Sequence, residues 1–161
     1  MTSQLDELQA AYRELKAFED IRQLKARYCH LVDSASWDEL ETLWTEDAEC
    51  DYGFFGTFSG RAEIMNGFFR ELVANVAPFS AHMVHNPLIE VSGDTASACW
   101  YLTANTTLMP HNQAVWAMGL YNDRYRRLDG QWKISELKVD FKYFTPFEEG
   151  WAKTPMWEMP A

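Results

Sequence analysis

Residues 27–49 read RYCHLVDSASWDELETLWTEDAE, a run that holds the end of one helix, a joint, and the start of another. Upstream of the joint, Ile21, Leu24, Tyr28 and Leu31 recur at helical spacing and form an apolar stripe. Downstream, Ser36-Trp37-Asp38-Glu39 fits a capping box, with serine at the N-cap and glutamate three residues later, and predicts a helix over Trp37–Trp44. Asp33 lies in the joint, among Leu31, Val32 and Ala35. A carboxylate at a helix C-terminus faces the negative pole of the dipole, which costs roughly 0.3–1 kcal/mol. Such an acid either points to solvent or is held by a specific partner. His30, three residues earlier on the same helix, offers one: a local surface ion pair.

Outward from the joint, residues 3–18 form an amphipathic helix with Leu5, Leu8, Tyr12, Leu15 and Phe18 on one face, either running on into the helix that bears Tyr28 or kinking near Glu19-Asp20. In the other direction Ala48–Tyr52 begins strand structure, and Gly53, Gly56 and Gly60 punctuate a short aromatic hairpin. Arg61–Ala74 returns to helix with Ile64, Phe68, Phe69 and Leu72 facing inward. From Ser80 the period changes to two. Ser80–Val91 is a strand interrupted at Asn86-Pro87, which implies an edge or a bulge. Strands over Thr95–Leu108, Ala114–Leu128 and Gln131–Thr145 follow, with turns at Ser92-Gly93-Asp94 and Asp129-Gly130. Helices followed by long antiparallel strands make an α+β layout, in which a strongly curved sheet wraps the N-terminal helices. The tail from Pro146 has three prolines and two tryptophans, and reads as a disordered end or as a flap packed by its aromatics.

At 161 residues the chain fits one domain, residues 1–161. A net charge of −10 argues against nucleic acid or an anionic membrane as partner. The polar, helical opening MTSQLDELQAAYREL and the lack of a membrane-length apolar run lead us to expect a cytoplasmic chain. Cys29, Cys50 and Cys99 are far apart and each falls in an expected helix or strand, so they read as buried free thiols rather than a disulfide frame or a metal site. No His/Cys cluster has zinc spacing, no glycine-rich loop precedes a helix, and no G-x-S-x-G occurs. Hydride, phosphoryl and serine-hydrolase chemistry are disfavoured, and no cofactor is expected.

Of the residues that can carry chemistry, His82 stands out beside Asp33. On a strand, His82 and Val84 face one way while Met83 and His85 face the other, so one of the two histidines faces the interior. His82 is either a satisfied core histidine or half of a His–Asp dyad, in which a carboxylate accepts the ring N–H, fixes the tautomer and leaves the other nitrogen as general base. Tyr28, on the inward stripe, is either a core aromatic or a phenol that hydrogen-bonds a substrate oxygen. An aromatic content of 15% suggests an aromatic-lined cavity, with Tyr52, Trp100, Tyr101, Asn105 and Trp116 as candidate lining.

Taken together, IRQLKARYCHLVDSASWDELETLWTEDAECDY, FSGRAEI, HMVHNPLIEVSGDTASA, YNDRYRRLDGQWKIS and KYFTP resemble, in order and spacing, the SnoaL-like (polyketide-cyclase-like) branch of the nuclear-transport-factor-2-like superfamily. The resemblance covers about residues 18–147 and leaves 148–161 as tail or flap. It implies a cone-shaped α+β barrel enclosing an apolar pocket, and a homo-oligomer, with a trimer favoured and a dimer possible. The branch includes scytalone dehydratase, a bile-acid 7α-dehydratase and hexachlorocyclohexane dehydrochlorinase, in which a His–Asp pair takes a proton and a β leaving group departs. That pattern falls on His82 and Asp33, with the dehydratases' tyrosine on Tyr28. The dehydrochlorinase's last-strand arginine falls on Leu137, which speaks against chloride elimination. The resemblance therefore implies a lyase of aromatic-compound catabolism whose catalytic residues are His82, Asp33 and Tyr28. Tyr52, Tyr101, Asn105, Trp116 and His85 are expected to bind its small-molecule substrate. Aldol-type chemistry on lignin-derived aromatic dimers, polyketide cyclisation, and a binding or assembly module are the alternatives.

Overall fold

The computed structural model describes residues 3–158, so residues 159–161 of the tail lie outside the described residues. A single helix, α1, spans Gln4–Asp33 without a kink at Glu19-Asp20. The sequence supplies no reason for one, since neither glycine nor proline occurs between residues 4 and 33. Its capping box is at the N-terminus: the Ser3 hydroxyl accepts from the Asp6 N–H, and the Asp6 carboxylate accepts from the Ser3 N–H. From Ala17 onward one face is buried through Ile21, Leu24, Tyr28, Leu31 and Val32. The earlier stripe of Leu5, Leu8, Tyr12 and Leu15 is 61–67% exposed.

After the joint the structure departs from the expected helix over Trp37–Trp44. Helix α2 covers only Trp37–Glu41, and strand β1 begins at Trp44 and runs to Asp51. The Ser36 hydroxyl makes no cap, because it pairs with that of Ser34 at 2.9 Å. Trp44 is drawn out of the helix by tertiary pairing. It aligns with Ile134 on a neighbouring strand, is buried to 1%, and meets the Tyr28 ring edge-on at 5.9 Å. A turn at Gly53–Phe55 leads to the short strand β2, Thr57–Ser59. Residues 61–76 then form α3, whose middle, Ile64–Val73, winds as a π-helix. The wider turn keeps the adjacent pairs Ile64/Met65, Phe68/Phe69 and Leu72/Val73 on one side, which a 3.6-residue period would splay.

Strands β3 (Phe79–Ser92), β4 (Thr95–Leu108), β5 (Gln113–Leu128) and β6 (Gln131–Pro146) complete a six-stranded sheet of order β2-β1-β6-β5-β4-β3. It is antiparallel except where β1 runs parallel to β6, and β2 and β3 are its free edges. The helices fill its concave side, as the α+β reading expects. Bulges set the curvature. Register slips between Met118 and Gly119 leave one extra residue on β6, so Phe141 and Phe144, three apart, both face inward. Glycine is required at 119, because a Cβ there would stand 2.6 Å from the Asp140 carbonyl oxygen. The expected bulge at Asn86-Pro87 is present, with Asn86 at φ 50° on the edge strand β3. Beyond it Ile89 and Val91 pack inward. Among the described residues no helix is long and apolar enough to cross a membrane. The free thiols Cys29 and Cys50 are buried, whereas Cys99 is half-buried, a correction to the expectation for all three.

Candidate active site

Between the concave sheet face, the C-terminal half of α1 and α3 lies a cavity of about 100 Å³. Its walls are aromatic and aliphatic, with Phe55, Phe68, Phe69, Phe141 and Phe144 around one side and Leu102, Ala104 and Val139 on the sheet. Among the described residues, the polar side chains lining it are Tyr28, Tyr52, Tyr121, Ser80, Thr106 and His82. Among the same residues, none of those lining it is an acid, a lysine or an arginine.

His82 arrives from β3, paired in register with Ala104 of β4 and facing inward with it. Asp33, the last residue of α1, meets it from the helical joint. The Asp33 Oδ1–His82 Nδ1 distance is 2.6 Å, and Oδ2 accepts the His82 backbone N–H at 2.9 Å. Both carboxylate oxygens are thus occupied, which offsets the unfavourable dipole at the helix end. His82, not His30, is the partner. A carboxylate at Nδ1 holds the proton on that nitrogen and leaves Nε2 as the unprotonated one. The pair sits at the cavity mouth: its side chains are 19% and 26% exposed, and Asp33 is outside the lining. The edge position of β3 explains this, because a residue on the outermost strand is covered by the sheet on one side only.

Tyr28 and Tyr52 meet in the dry, buried part of the cavity, hydroxyl to hydroxyl at 3.2 Å. Tyr52 stacks on Phe68 at 3.8 Å, and Tyr121 crosses Tyr28 edge-on at 6.2 Å. Burial pushes all three phenols well above the usual tyrosine range, and the neighbouring ionisable groups (Tyr52 beside Tyr28, Cys50 beside Tyr52, Tyr28 beside Tyr121) raise them further. They remain neutral donors throughout the physiological range. The site thus has a half-wet base at its mouth and a set of neutral hydroxyls at its floor, separated by apolar walls.

Of the expected substrate contacts, only Tyr52 lines the cavity. Tyr101, Asn105, Trp116 and His85 stand on the outer face of the sheet, which corrects their placement. His85 stacks on Tyr101 at 5.7 Å and reaches the Thr103 hydroxyl at 3.3 Å, while Trp116 stacks on Phe147. The strand parity was the missing fact: β4 buries its even-numbered residues and β5 its odd ones, and both faces carry aromatics. Trp100, also a candidate, is buried but not in the lining. Tyr121 escaped sequence reasoning, although the alternation Tyr121, Asp123, Tyr125 against Asn122, Arg124, Arg126 marks the inward side of β5.

The SnoaL-like domain family matches residues 13–138. An uncharacterised protein of Mycobacterium tuberculosis is 30% identical over 145 residues, covering 89% of this chain and 97% of its own. Hexachlorocyclohexane dehydrochlorinase 1 of Sphingobium indicum is 30% identical over 120 residues, 71% of this chain and 75% of its own. The crystal structure of a hexachlorocyclohexane dehydrochlorinase of type 2 superposes with a TM-score of 0.78 at 27% identity, covering 83% of this chain and 90% of that one.

Proposed function

The chain belongs to the SnoaL-like domain family, and from that premise we propose that it is a lyase that removes a proton and expels a β leaving group from a small, neutral, cyclic or aromatic substrate. The observation that carries this reading is the Asp33–His82 contact at 2.6 Å beside an apolar cavity. In it, His82 Nε2 takes the substrate proton, Asp33 stabilises the imidazolium so formed, and Tyr28 donates to an oxygen on which negative charge grows. The proton then returns from His82 to the departing group, which restores the base. Tyr52, bonded to the Tyr28 hydroxyl, fixes that donor's direction. Among leaving groups the reading favours hydroxyl over chloride. A departing hydroxide needs the proton that His82 carries, whereas a departing chloride is served by a cation. Among the described residues no Lys or Arg lines the cavity, and Leu137 on the last strand is fully buried in the core.

Volume orders the remaining candidates. A cavity of about 100 Å³ is smaller than the ~150 Å³ void that admits benzene in an engineered protein core. A single ring fits only with some movement of the wall, and an aromatic dimer would need far more. Elimination on a one-ring substrate therefore stands ahead of carbon–carbon cleavage of dimers or polyketide cyclisation. A homo-oligomer belongs to the same reading, and sedimentation equilibrium counts its subunits.

The test is a screen of purified protein against hydroxylated cyclic ketones and hydroxylated or methoxylated aromatics, including dimers, read as new conjugated absorbance. Elimination creates a chromophore that His82→Ala fails to produce. Formaldehyde released from a dimer would move the assignment to C–C cleavage. Binding without turnover of any of them would make the protein a binding module.

A further inference from the structure

Directly behind the cavity floor lies a charged pair for which the proposed reaction has no use. Lys25 Nζ stands 2.8 Å from Asp123 Oδ2, and both side chains are fully buried. The Tyr125 hydroxyl donates to the same carboxylate oxygen at 2.6 Å and itself accepts from Trp100 Nε1 at 3.2 Å, while Asp123 Oδ1 has no partner. The ammonium makes no directed hydrogen bond. It lies instead 3.4 Å from the centroid of the Tyr121 ring and 4.7 Å from that of Tyr28. Lys25 precedes Tyr28 by one helical turn, and Asp123 follows Tyr121 by two strand residues. Each member of the pair is therefore carried by the same element as one cavity phenol.

Stability does not account for such a pair. Removing two charges from water costs several kcal/mol per ion, and exchanging a buried ion pair for apolar residues of similar volume is often neutral or stabilising. Its position does account for it. A cation against the face of a phenol draws electron density from the ring and thereby from the oxygen, which makes the O–H a stronger donor. In a dry site the same fixed charge also stabilises negative charge that develops on an oxygen bonded to that phenol.

We propose that Lys25, held by Asp123, is a positioning residue that orients and polarises the Tyr28 and Tyr121 phenols, and that it tunes the floor of the cavity for a substrate carbonyl oxygen. This rests on the reading of Tyr28 as the donor to substrate oxygen. It gives the substrate a class: a neutral cyclic or aromatic ketone, oriented with its carbonyl on Tyr28 and the proton to be removed toward His82. The carbonyl oxygen takes up charge as that proton leaves.

Two measurements test it, and the first needs no ligand. In protein labelled with [13Cζ]tyrosine, Tyr28→Phe and Tyr121→Phe assign the two ring signals. Lys25→Met/Asp123→Asn then removes the charges while keeping an acceptor for Tyr125, and its fold is checked by thermal melting. Both signals are expected to shift in the double variant. Signals left at their wild-type positions overturn the role of Lys25 and leave the site reading standing. The second measurement is the infrared carbonyl stretch of bound [carbonyl-13C]acetophenone. Wild-type protein is expected to lower its frequency relative to an apolar solvent, Tyr28→Phe to abolish that shift, and the double variant to lose at least half of it. A full shift in the double variant overturns the proposal. Failure of acetophenone to bind, or a shift that survives Tyr28→Phe, overturns the site reading and this inference with it.

Discussion

Helix α1 carries two charged partnerships eight residues apart, and they are built oppositely. At Asp33 the carboxylate meets His82 at the cavity mouth, where the side chains are 26% and 19% exposed and water has access. At Lys25 the ammonium meets Asp123 behind the cavity floor, where neither is exposed at all. A proton can be exchanged with solvent at the first. At the second, losing one partner would leave a lone charge in a dry interior. The contrast suggests a division of labour, with a mobile proton at the rim and a fixed field beneath the floor. Removing the rim pair should damage turnover and spare the fold, whereas removing half of the floor pair should cost the fold as well as the polarised floor.

The largest effect is expected at the rim. His82→Ala and Asp33→Asn should each lower turnover of a substrate found in the screen by about 10²–10⁴-fold. Unfolding free energy should move by less than about 1 kcal/mol in each, because the contact is partly solvated. Steady-state kinetics and urea unfolding on the same preparations decide it. Full activity in His82→Ala would remove the mechanism. Next comes the floor. Lys25→Met alone strands the Asp123 carboxylate in the core, and breaking a buried pair in this way costs about 3–5 kcal/mol. Lys25→Met/Asp123→Asn should recover most of that loss. Equal destabilisation in single and double variants would show that packing of the lysine stem, not its charge, is what the core needs.

Alkali offers a gentler separation of wet from dry. Burial pushes the Cys29 thiol up to about 11, the nearby Asp33 and Asp123 carboxylates push the same way, and the Lys25 charge opposes. The native state therefore keeps this proton at a pH where the unfolded chain, with an ordinary thiol near ~8.5, has released it. Below that value both states are protonated and nothing is lost. Above it stability falls by about 1.4 kcal/mol per pH unit for this one group, until the native thiol also ionises. Cys29→Ala should flatten the fall between about pH 9 and about pH 11, read by urea unfolding. The buried phenols have folded values raised in the same sense and add to the loss above about pH 10. A wild-type protein equally stable at about pH 8 and about pH 10.5 would contradict the dryness of the floor.

How much of this was legible in the sequence follows from which forces were local. Strand β4 runs over Thr95–Leu108 as the period-two pattern predicts, and the Asp129-Gly130 turn joins β5 to β6. Both are set by short-range chemistry: alternation, and residues that accept positive φ, as Asp129 and Gly130 do here. Trp44 departs from its expected helix because its helical context is local while its pairing partner, Ile134, is ninety residues away. The π-turn of α3 was invisible for a related reason, since it answers to the cavity that Phe68 and Phe69 must both reach. In the site, Asp33 betrayed itself by standing where a helix end disfavours it, and His82 by sitting on an alternating strand. Tyr101, Asn105 and Trp116 show the limit: alternation names two faces and does not say which one is inside. Lys25 carries little signal in the sequence because a lysine on a helix ordinarily reaches solvent, although it precedes Tyr28 by three residues on the buried stripe.

The division between rim and floor requires that the cavity stay closed on its far side, and the smallest expected effect tests that wall. The tail folds back on the end of β6. Among the described tail residues, Trp151 stacks on Tyr143 at 5.0 Å and meets Trp116 edge-on. The Pro155 carbonyl accepts the Phe144 N–H, the Trp157 N–H donates to the Phe144 carbonyl, and Trp157 packs against the core. Phe144 is itself a cavity wall, yet among the described residues no tail residue lines the cavity. The tail therefore acts on the site from behind, as a brace on Phe144. Ending the chain at Glu149 exposes backbone groups that water can satisfy, so the loss is modest, about 1 kcal/mol or a fall in Tm of about 2–4 °C. Affinity for acetophenone should weaken by less than about tenfold. A truncated protein with unchanged melting and unchanged binding would show that Phe144 holds its place without the brace. A complete loss of binding would show instead that the tail closes the cavity directly.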